Sequence, residues 1–344
     1  MSFVPPRCPY PECRHHQQPV PGFCIRWGFH RPQCRSAPVP RYRCRGCRRT
    51  FSRQTFRHDY RDRRPHFNKR LFELLVSGVG QRQCARVLGL SLRSVQKKMH
   101  KLTVTCAHLH ENLSPRLPSG LTYVLDEEET YESASIRPLT MAVLIEKESW
   151  FVVATAVGSI RRMAPQGTAR RRRQERDERL HGRRKDESSS CVRQVLAALS
   201  KRVAGPLELR TDQKASYGSI ARGVFGDRLR HVTTAGTRIR TTHNPLFPIN
   251  TTLAMTRDNC GRLRRRSWLV TKKAPWLRSH MSAFTVYRNY VRQRFNRDAK
   301  THAPARHLDL LPRGLHVREV VRWRQDWGPR SPHPMSLHGD RSVA

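Results

Sequence analysis

The chain has 344 residues and carries 67 Lys+Arg against 26 Asp+Glu, a formal net charge of +41. A chain this cationic repels itself when compact and calls for a polyanion, since each phosphate it neutralises releases a condensed counterion. The charge is not confined to one amphipathic helix or a juxtamembrane tail, which excludes a simple membrane-surface anchor, and 37% hydrophobic residues exclude a wholly disordered chain.

The opening stretch, MSFVPPRCPY, has no apolar core of a secretory signal. The longest apolar runs, 139–145 and 150–157, are divided by Glu146, Lys147 and Glu148 and fall short of the ~20 residues of a membrane span. Of ten cysteines, six lie before residue 48, which reads as metal ligation in a reducing, cytoplasmic, nucleoid-associated protein rather than a disulfide framework. The length has room for about two or three domains.

Residues 1–65 hold Cys8-Pro-Tyr-Pro-Glu-Cys13 and Cys44-Arg-Gly-Cys47. Two short-spaced pairs suit two knuckles that bring four thiolates to one tetrahedral zinc ion, which also stabilises a segment too short and polar to fold on a core. The expected ligands are Cys8, Cys13, Cys44 and Cys47; Cys24, Cys34, His15, His16 and His30 are alternatives nearby. Strands are expected at 23–29 and 41–43, with Arg48, Arg49 and Arg53 facing phosphate.

From Phe67 the apolar spacing turns helical: Phe67, Leu71, Leu74 and Leu75 mark one buried face. A short helix at 81–88, a turn at Gly89 and a third helix capped by Ser91 and ending near Leu102 complete a helix-turn-helix over 66–112. On that third helix Arg93, Ser94, Gln96, Lys97 and Lys98 are the candidate DNA-reading side chains, while Leu92, Val95, Met99 and Leu102 pack.

Five of the acidic residues fall within seven positions: Asp126, Glu127, Glu128, Glu129 and Glu132. They follow a strand-like run at 121–125 and precede a hairpin over 138–145 and 150–158. A segment at 161–187 with eleven Lys/Arg and five Asp/Glu reads as a mobile basic insertion. A helix at 191–203 and a strand at 207–211 ending in Asp212 follow, then a helix from Lys214. This order predicts an RNase H-like α/β domain over 120–296, with a mixed sheet that brings Asp126 and Asp212 together to hold Mg²⁺ or Mn²⁺ for phosphodiester chemistry. Trp268, Trp276, Phe284, Tyr287 and Tyr290 are expected in the core, and 297–344 is expected to be a basic, partly disordered tail. The fold class is α+β and multidomain: zinc ribbon, helix-turn-helix, RNase H-like domain.

In this order the chain resembles bacterial insertion-sequence transposases of the insertion-sequence-one type. The resemblance spans roughly 8–295. It is carried by the first cysteine knuckle (one residue longer than the family's), the stretch from Tyr42 to Phe51, segments 77–80 and 84–89, and Arg262, Leu263, Arg265, Ser267, Trp268 and Lys272. It implies that Asp126 and Asp212 are the first two catalytic acids. The family's Ile-Glu falls on Ile249-Asn250, so Asn250 stands where a third acid is expected; Asp258, eight residues on, is about 80° around and ~12 Å along a helix. Arg257, Arg262, Arg264, Arg265 and Arg266 are expected to line a DNA channel. The resemblance further implies double-stranded DNA partners (element ends and target), strand cleavage and transfer, and a homo-oligomer in a synaptic complex. The alternative is a sequence-specific DNA-binding regulator with an inert nuclease domain, which Asn250 favours.

Overall fold

The structure is a computed structural model and describes residues 3–31, 37–57, 59–239, 241–264 and 268–324. A single turn, α1 (Arg14–Gln17), precedes three antiparallel strands, β1 (Cys24–His30), β2 (Val39–Cys44) and β3 (Thr50–Ser52), ordered β1-β2-β3. Beneath them Phe23, Phe51 and Phe56 form a small aromatic core with Cys8, Cys13 and Cys44. Three helices follow: α2 (Phe67–Leu75), α3 (Gln81–Leu88) and α4 (Leu92–Leu113). Gly89 at φ 59° ends α3 in the left-handed conformation that favours glycine, and the Ser91 hydroxyl accepts the Ser94 N–H at 3.2 Å to start α4.

The larger sheet comprises β4 (Thr122–Tyr131), β5 (Pro138–Glu146), β6 (Val152–Ser159), β7 (Leu207–Asp212) and β8 (Leu229–Thr234). Its order is β6-β5-β4-β7-β8; β5 runs antiparallel to β4 and β6, whereas β7 runs parallel to β4 and to β8. Helix α5 (Ala169–His181) and α6 (Ser188–Ser200) lie between β6 and β7, α7 (Ala215–Phe225) between β7 and β8, and α8 (Phe247–Asn259) and α9 (Ala274–Val286) follow β8. Short helices α10 (Pro304–His307) and α11 (Val317–Val321) end the described chain. One face of the sheet packs Tyr123, Leu125 and Leu144 against α6 and α7. The other packs Val124, Met141, Val143 and Ile145 against Ile249 and Leu253 of α8 and Met281 and Phe284 of α9.

Several expectations change. Helix α4 runs past Leu102 to Leu113 because Thr105, Cys106 and Leu109 continue its buried face against α9. The His110 ring lies 3.0 Å from both Tyr290 Oη and the Val153 carbonyl, joining that half of α4 to the sheet. The basic segment 161–187 contains α5, held by ion pairs rather than apolar packing: Arg137–Asp177 at 2.5 Å and Arg161–Glu178 at 2.8 Å. Strand β8, which the apolar pattern did not mark, pairs with all of β7. Beyond Asn296, Leu308, Leu311, Leu315, Val320 and Trp323 are buried and Arg324 bridges to Arg57, so this stretch is packed; residues 325–344 lie outside the described residues. Trp268 is 93% exposed rather than core, while Phe284 and Tyr290 are buried as expected.

Candidate active site and metal centre

The Sγ atoms of Cys8, Cys13, Cys44 and Cys47 all lie within 4.8 Å of one another, with 3.7 Å for both Cys8–Cys47 and Cys13–Cys44. Four thiolates ~2.3 Å from one ion at tetrahedral corners stand ~3.8 Å apart, so the donor set and spacing fit a four-coordinate structural metal. The backbone N–H groups of Tyr10, His15 and Arg49 donate to the sulfurs of Cys8, Cys13 and Cys47 and orient them. A side chain at Gly46 would place Cβ 2.7 Å from the His15 ring, so packing rather than backbone conformation favours glycine there. Cys24 sits opposite Cys44 in the β1–β2 register yet stays outside the cluster; Cys34 lies outside the described residues.

On α4, Arg93, Gln96 and Lys97 are exposed and Ser94 is half-buried at the helix cap. Lys98 alone among the five expected DNA-reading side chains is unavailable for DNA. Its side chain is 4% exposed, and Nζ donates to Asp62 Oδ2 at 2.8 Å, to the Arg64 carbonyl at 3.0 Å and to Asn68 Oδ1 at 3.0 Å. These three bonds use every ammonium proton. The signal was present in the sequence: Lys98 follows Val95 by three and precedes Leu102 by four, on the apolar face. Lys98→Met is expected to strand the Asp62 carboxylate and cost about 3–5 kcal/mol of stability; urea unfolding monitored by circular dichroism checks this.

Four of the five island acids, Asp126 to Glu129, lie inside β4, so their side chains alternate between the two faces of the sheet, while Glu132 follows its end. Glu127 points toward α6 and α7. It accepts from Thr140 Oγ1 at 2.7 Å, Ser188 Oγ at 2.9 Å, Tyr217 Oη at 2.9 Å and the Lys214 ammonium. Burial alone would raise its pKa, but the bonds from Lys214, Thr140 and Ser188 outweigh it and hold the carboxyl below its ordinary value. On the opposite face, buried Glu128 accepts from Thr256 Oγ1 at 2.8 Å and Arg257 Nε at 2.5 Å, both on α8. Glu129 pairs with Arg162, and Glu132 with Arg184 and the Ala274 N–H. Glu127, Glu128, Glu129 and Glu132 are thus paired within the fold; strand alternation could have separated Glu127 and Glu129 from Asp126, but not Glu128, which shares its face.

Asp126 is placed by register. Thr122 pairs with Glu208, Tyr123 with Leu209 and Val124 with Arg210, a constant offset of 86 (208 − 122). The same offset aligns Asp126 with Asp212, on one face of strands ~4.8 Å apart. Pairing between β4 and β7 stops at Val124–Arg210 while β4 continues against β5 to Tyr131, so the two strands part at the acids. The opening is a cleft of about 490 Å³ lined by Asp126, Asp212, Arg161, Arg162, Lys214 and Tyr217, among others. Asp126 Oδ1 accepts the Glu127 N–H at 2.7 Å, and Asp212 Oδ1 accepts the Lys214 N–H at 3.0 Å at the start of α7. Burial, and after it the negative charge of Glu127, Asp126 and Asp212, pushes the Tyr217 phenol far up, so it remains a neutral donor.

Asn250 lies in the first turn of α8, next to fully buried Ile249. With Asp126 and Arg257 it lines an adjoining pocket of about 400 Å³; Asp258 does not. The structure therefore brings Asp126 beside Asp212 on one side and Asn250 on the other. The three offer hard oxygen donors of the kind Mg²⁺ and Mn²⁺ take. Of the expected channel arginines, Arg257 is tied to Glu128 at its Nε yet remains half-exposed. Arg264 lies over the Gly78 backbone. Arg262 turns inward beside Cys260 and His280, and burial lowers its guanidinium to about 10. Arg265 and Arg266 lie outside the described residues.

Among the described residues, no helix is long and apolar enough to cross a membrane. No family model and no curated protein matches the chain. Among solved structures it is similar to a chain of the simian T-cell lymphotropic virus intasome, determined by electron cryo-microscopy in complex with the PP2A regulatory subunit B56 gamma. The TM-score is 0.31 and the identity 13%, covering 70% of this chain and 73% of that one.

Proposed function

We propose that the chain is a transposase-type enzyme that binds the terminal repeats of a mobile element and cuts and joins DNA strands with divalent metal. The observation that carries this reading is the register that aligns Asp126 with Asp212 where two parallel strands part, with Asn250 across the adjoining pocket. Sheets with parallel strands bind ligands at the carboxyl ends of those strands. The order β6-β5-β4-β7-β8, with β5 reversed, is also the strand arrangement expected of an RNase H-like domain.

Asp126, Asp212 and Asn250 are the residues that would hold Mg²⁺ or Mn²⁺. Such ions, when bound, activate an attacking water or 3′-hydroxyl and neutralise the leaving oxygen. The chain's own residues orient this chemistry. Backbone N–H groups fix both aspartates, and the Lys214–Glu127–Tyr217 network holds the wall behind them. Arg161 and Arg162 supply positive charge at the rim for the DNA phosphates. Arg93, Ser94, Gln96 and Lys97 at the start of α4 read element-end DNA, and Arg257 and Arg264 line the path of the strand; Arg265 lies outside the described residues. Zinc on Cys8, Cys13, Cys44 and Cys47 is structural. Two chains are needed to hold two element ends at once.

Supercoiled DNA bearing the repeats that flank the coding sequence is expected to be nicked with Mg²⁺ or Mn²⁺. Cleavage no greater than in the metal-free control would overturn the reading. Asn250 brings no charge to the metals, which favours a second reading: a DNA-binding protein whose sheet domain is inert, expected to bind the repeats without cutting them. Asn250→Glu is expected to lower the Mg²⁺ concentration for half-maximal nicking by about tenfold, because affinity follows ligand charge. An unchanged metal titration would remove Asn250 from the site.

A further inference from the structure

An aromatic-lined cavity of about 930 Å³ lies next to the proposed cutting site rather than in it. It is bounded by Trp150, Phe247 and Phe295, with Arg292, Arg294 and Arg297 around its mouth. The Trp150 ring meets Phe295 edge-on at 4.7 Å and Phe247 at 5.9 Å, so the three rings form one continuous apolar corner. Phe247 and Phe295 are half-buried and keep part of their surface open to the cavity. The Arg294 and Arg297 guanidinium carbons lie 4.6 Å and 5.8 Å from the centre of the Phe295 ring. The pocket thus joins stacking surface to positive charge.

Its position is held at some cost. Trp150 adopts φ +60°, a conformation that bulky residues rarely take and that is sustained only when the surroundings over-determine it. The surroundings do so: buried Glu146 accepts the N–H of Glu148 at 3.0 Å and of Ser149 at 2.7 Å, as well as the Ser149 hydroxyl, locking the turn between β5 and β6. On the far wall the loop carrying Arg292 to Phe295 is gripped from behind by fully buried Arg288, which donates to the carbonyls of Gln293 and Arg294 at 3.2 and 3.1 Å. Phe247 and Thr251 line both this cavity and the pocket of Asp126 and Asn250. Phe247 is one helical turn, about 5 Å, from Asn250, which is the reach of about one or two nucleotides of a strand.

We propose that this cavity takes an unstacked nucleobase of the DNA strand being cut, one or two nucleotides from the scissile phosphate, stacking it on Phe295 and Phe247 while Arg292 and Arg297 hold its phosphate. The inference rests on the strand-cutting reading above. A base inside a duplex is covered on both faces and cannot reach a ring at the floor of a pocket; it must be splayed out or already single-stranded. Stacking on aromatic rings tolerates every base, so the cavity recognises strand separation rather than sequence.

Fluorescence anisotropy of the full chain, without divalent metal, tests the proposal by comparing a blunt duplex with the same duplex carrying a short thymidine tail. The tailed duplex is expected to bind about tenfold more tightly. Phe295→Ala is expected to abolish that preference, Phe295→Trp to keep it, and Arg297→Gln at the exposed rim to reduce it. Equal binding of both duplexes by the unaltered chain, or a preference that survives Phe295→Ala, overturns the proposal. If Phe295→Ala also loses the blunt duplex, Arg297→Gln decides, and an undiminished preference there overturns it. The two readings fail separately: a tail preference without nicking sinks only the enzyme, and nicking without a tail preference sinks only the cavity.

Discussion

Asp212→Asn is expected to slow metal-dependent nicking by about a thousandfold, the equivalent of several kcal/mol of lost charge stabilisation at 1.36 kcal/mol per decade. The substitution keeps the shape of the side chain. It also keeps an oxygen to accept the Lys214 N–H, so the start of α7 is preserved and the melting temperature should stay within a few degrees. Binding of element-end DNA is expected to persist, because the exposed residues of α4 are untouched. Single-turnover cleavage, a thermal melt and a binding titration on the same preparation separate these effects. Full-rate nicking by a folded Asp212→Asn chain would show that the cleft between β4 and β7 is not where strands are cut.

Removing the metal from the four-cysteine cluster should have the second large effect, this time on structure. Structural zinc contributes about 10–16 kcal/mol in peptides of this kind, and the apolar core beneath it amounts to little more than Phe23, Phe51 and Phe56. Chelation, or Cys44→Ser, is therefore expected to unfold residues 3–57 while the five-stranded sheet keeps its own melting transition. Limited proteolysis reads this directly, since the arginines of the ribbon become cleavable first. Elemental analysis should find one zinc per unaltered chain and none in Cys44→Ser. A ribbon equally resistant with and without chelator would mean that the cysteines hold no metal.

The parts of the molecule that could be read from sequence are those whose chemistry is local. Two cysteine pairs at short spacing named all four members of the cluster, because a knuckle is set by a handful of adjacent residues. Ser91 and Gly89 marked helix ends through their own backbone preferences. What stayed hidden depends on partners distant in the chain. Lys98 looked like a surface cation until Asp62 and Asn68 closed over it. Glu127 and Glu128 looked like two members of one acidic patch. They serve opposite faces, held by Lys214 and Tyr217 on one and by α8 on the other. Strand β8 has alternating, half-polar residues with little apolar signal, and its pairing with β7 is what defines it. The segment 161–187 has almost no apolar content, so its helix becomes visible only through Arg137 and Arg161, which lie outside that helix. Asp126 and Asp212 are intermediate: their types were evident, but only the strand register and the cleft that both line relate them in space.

Helix α4 carries Arg93, Gln96 and Lys97 at one end and is anchored through His110 to β6 and Tyr290 at the other. At 22 residues it is about 33 Å long, close to one turn of B-form DNA. No hinge interrupts it, so under the proposed function the same rigid rod would set the interval between the bases read by α4 and the bond cut at the cleft. The cut should therefore fall at a constant number of base pairs from the recognised sequence. Under that reading, a mobile element served by such a protein could not drift in the spacing of its ends without losing its own excision.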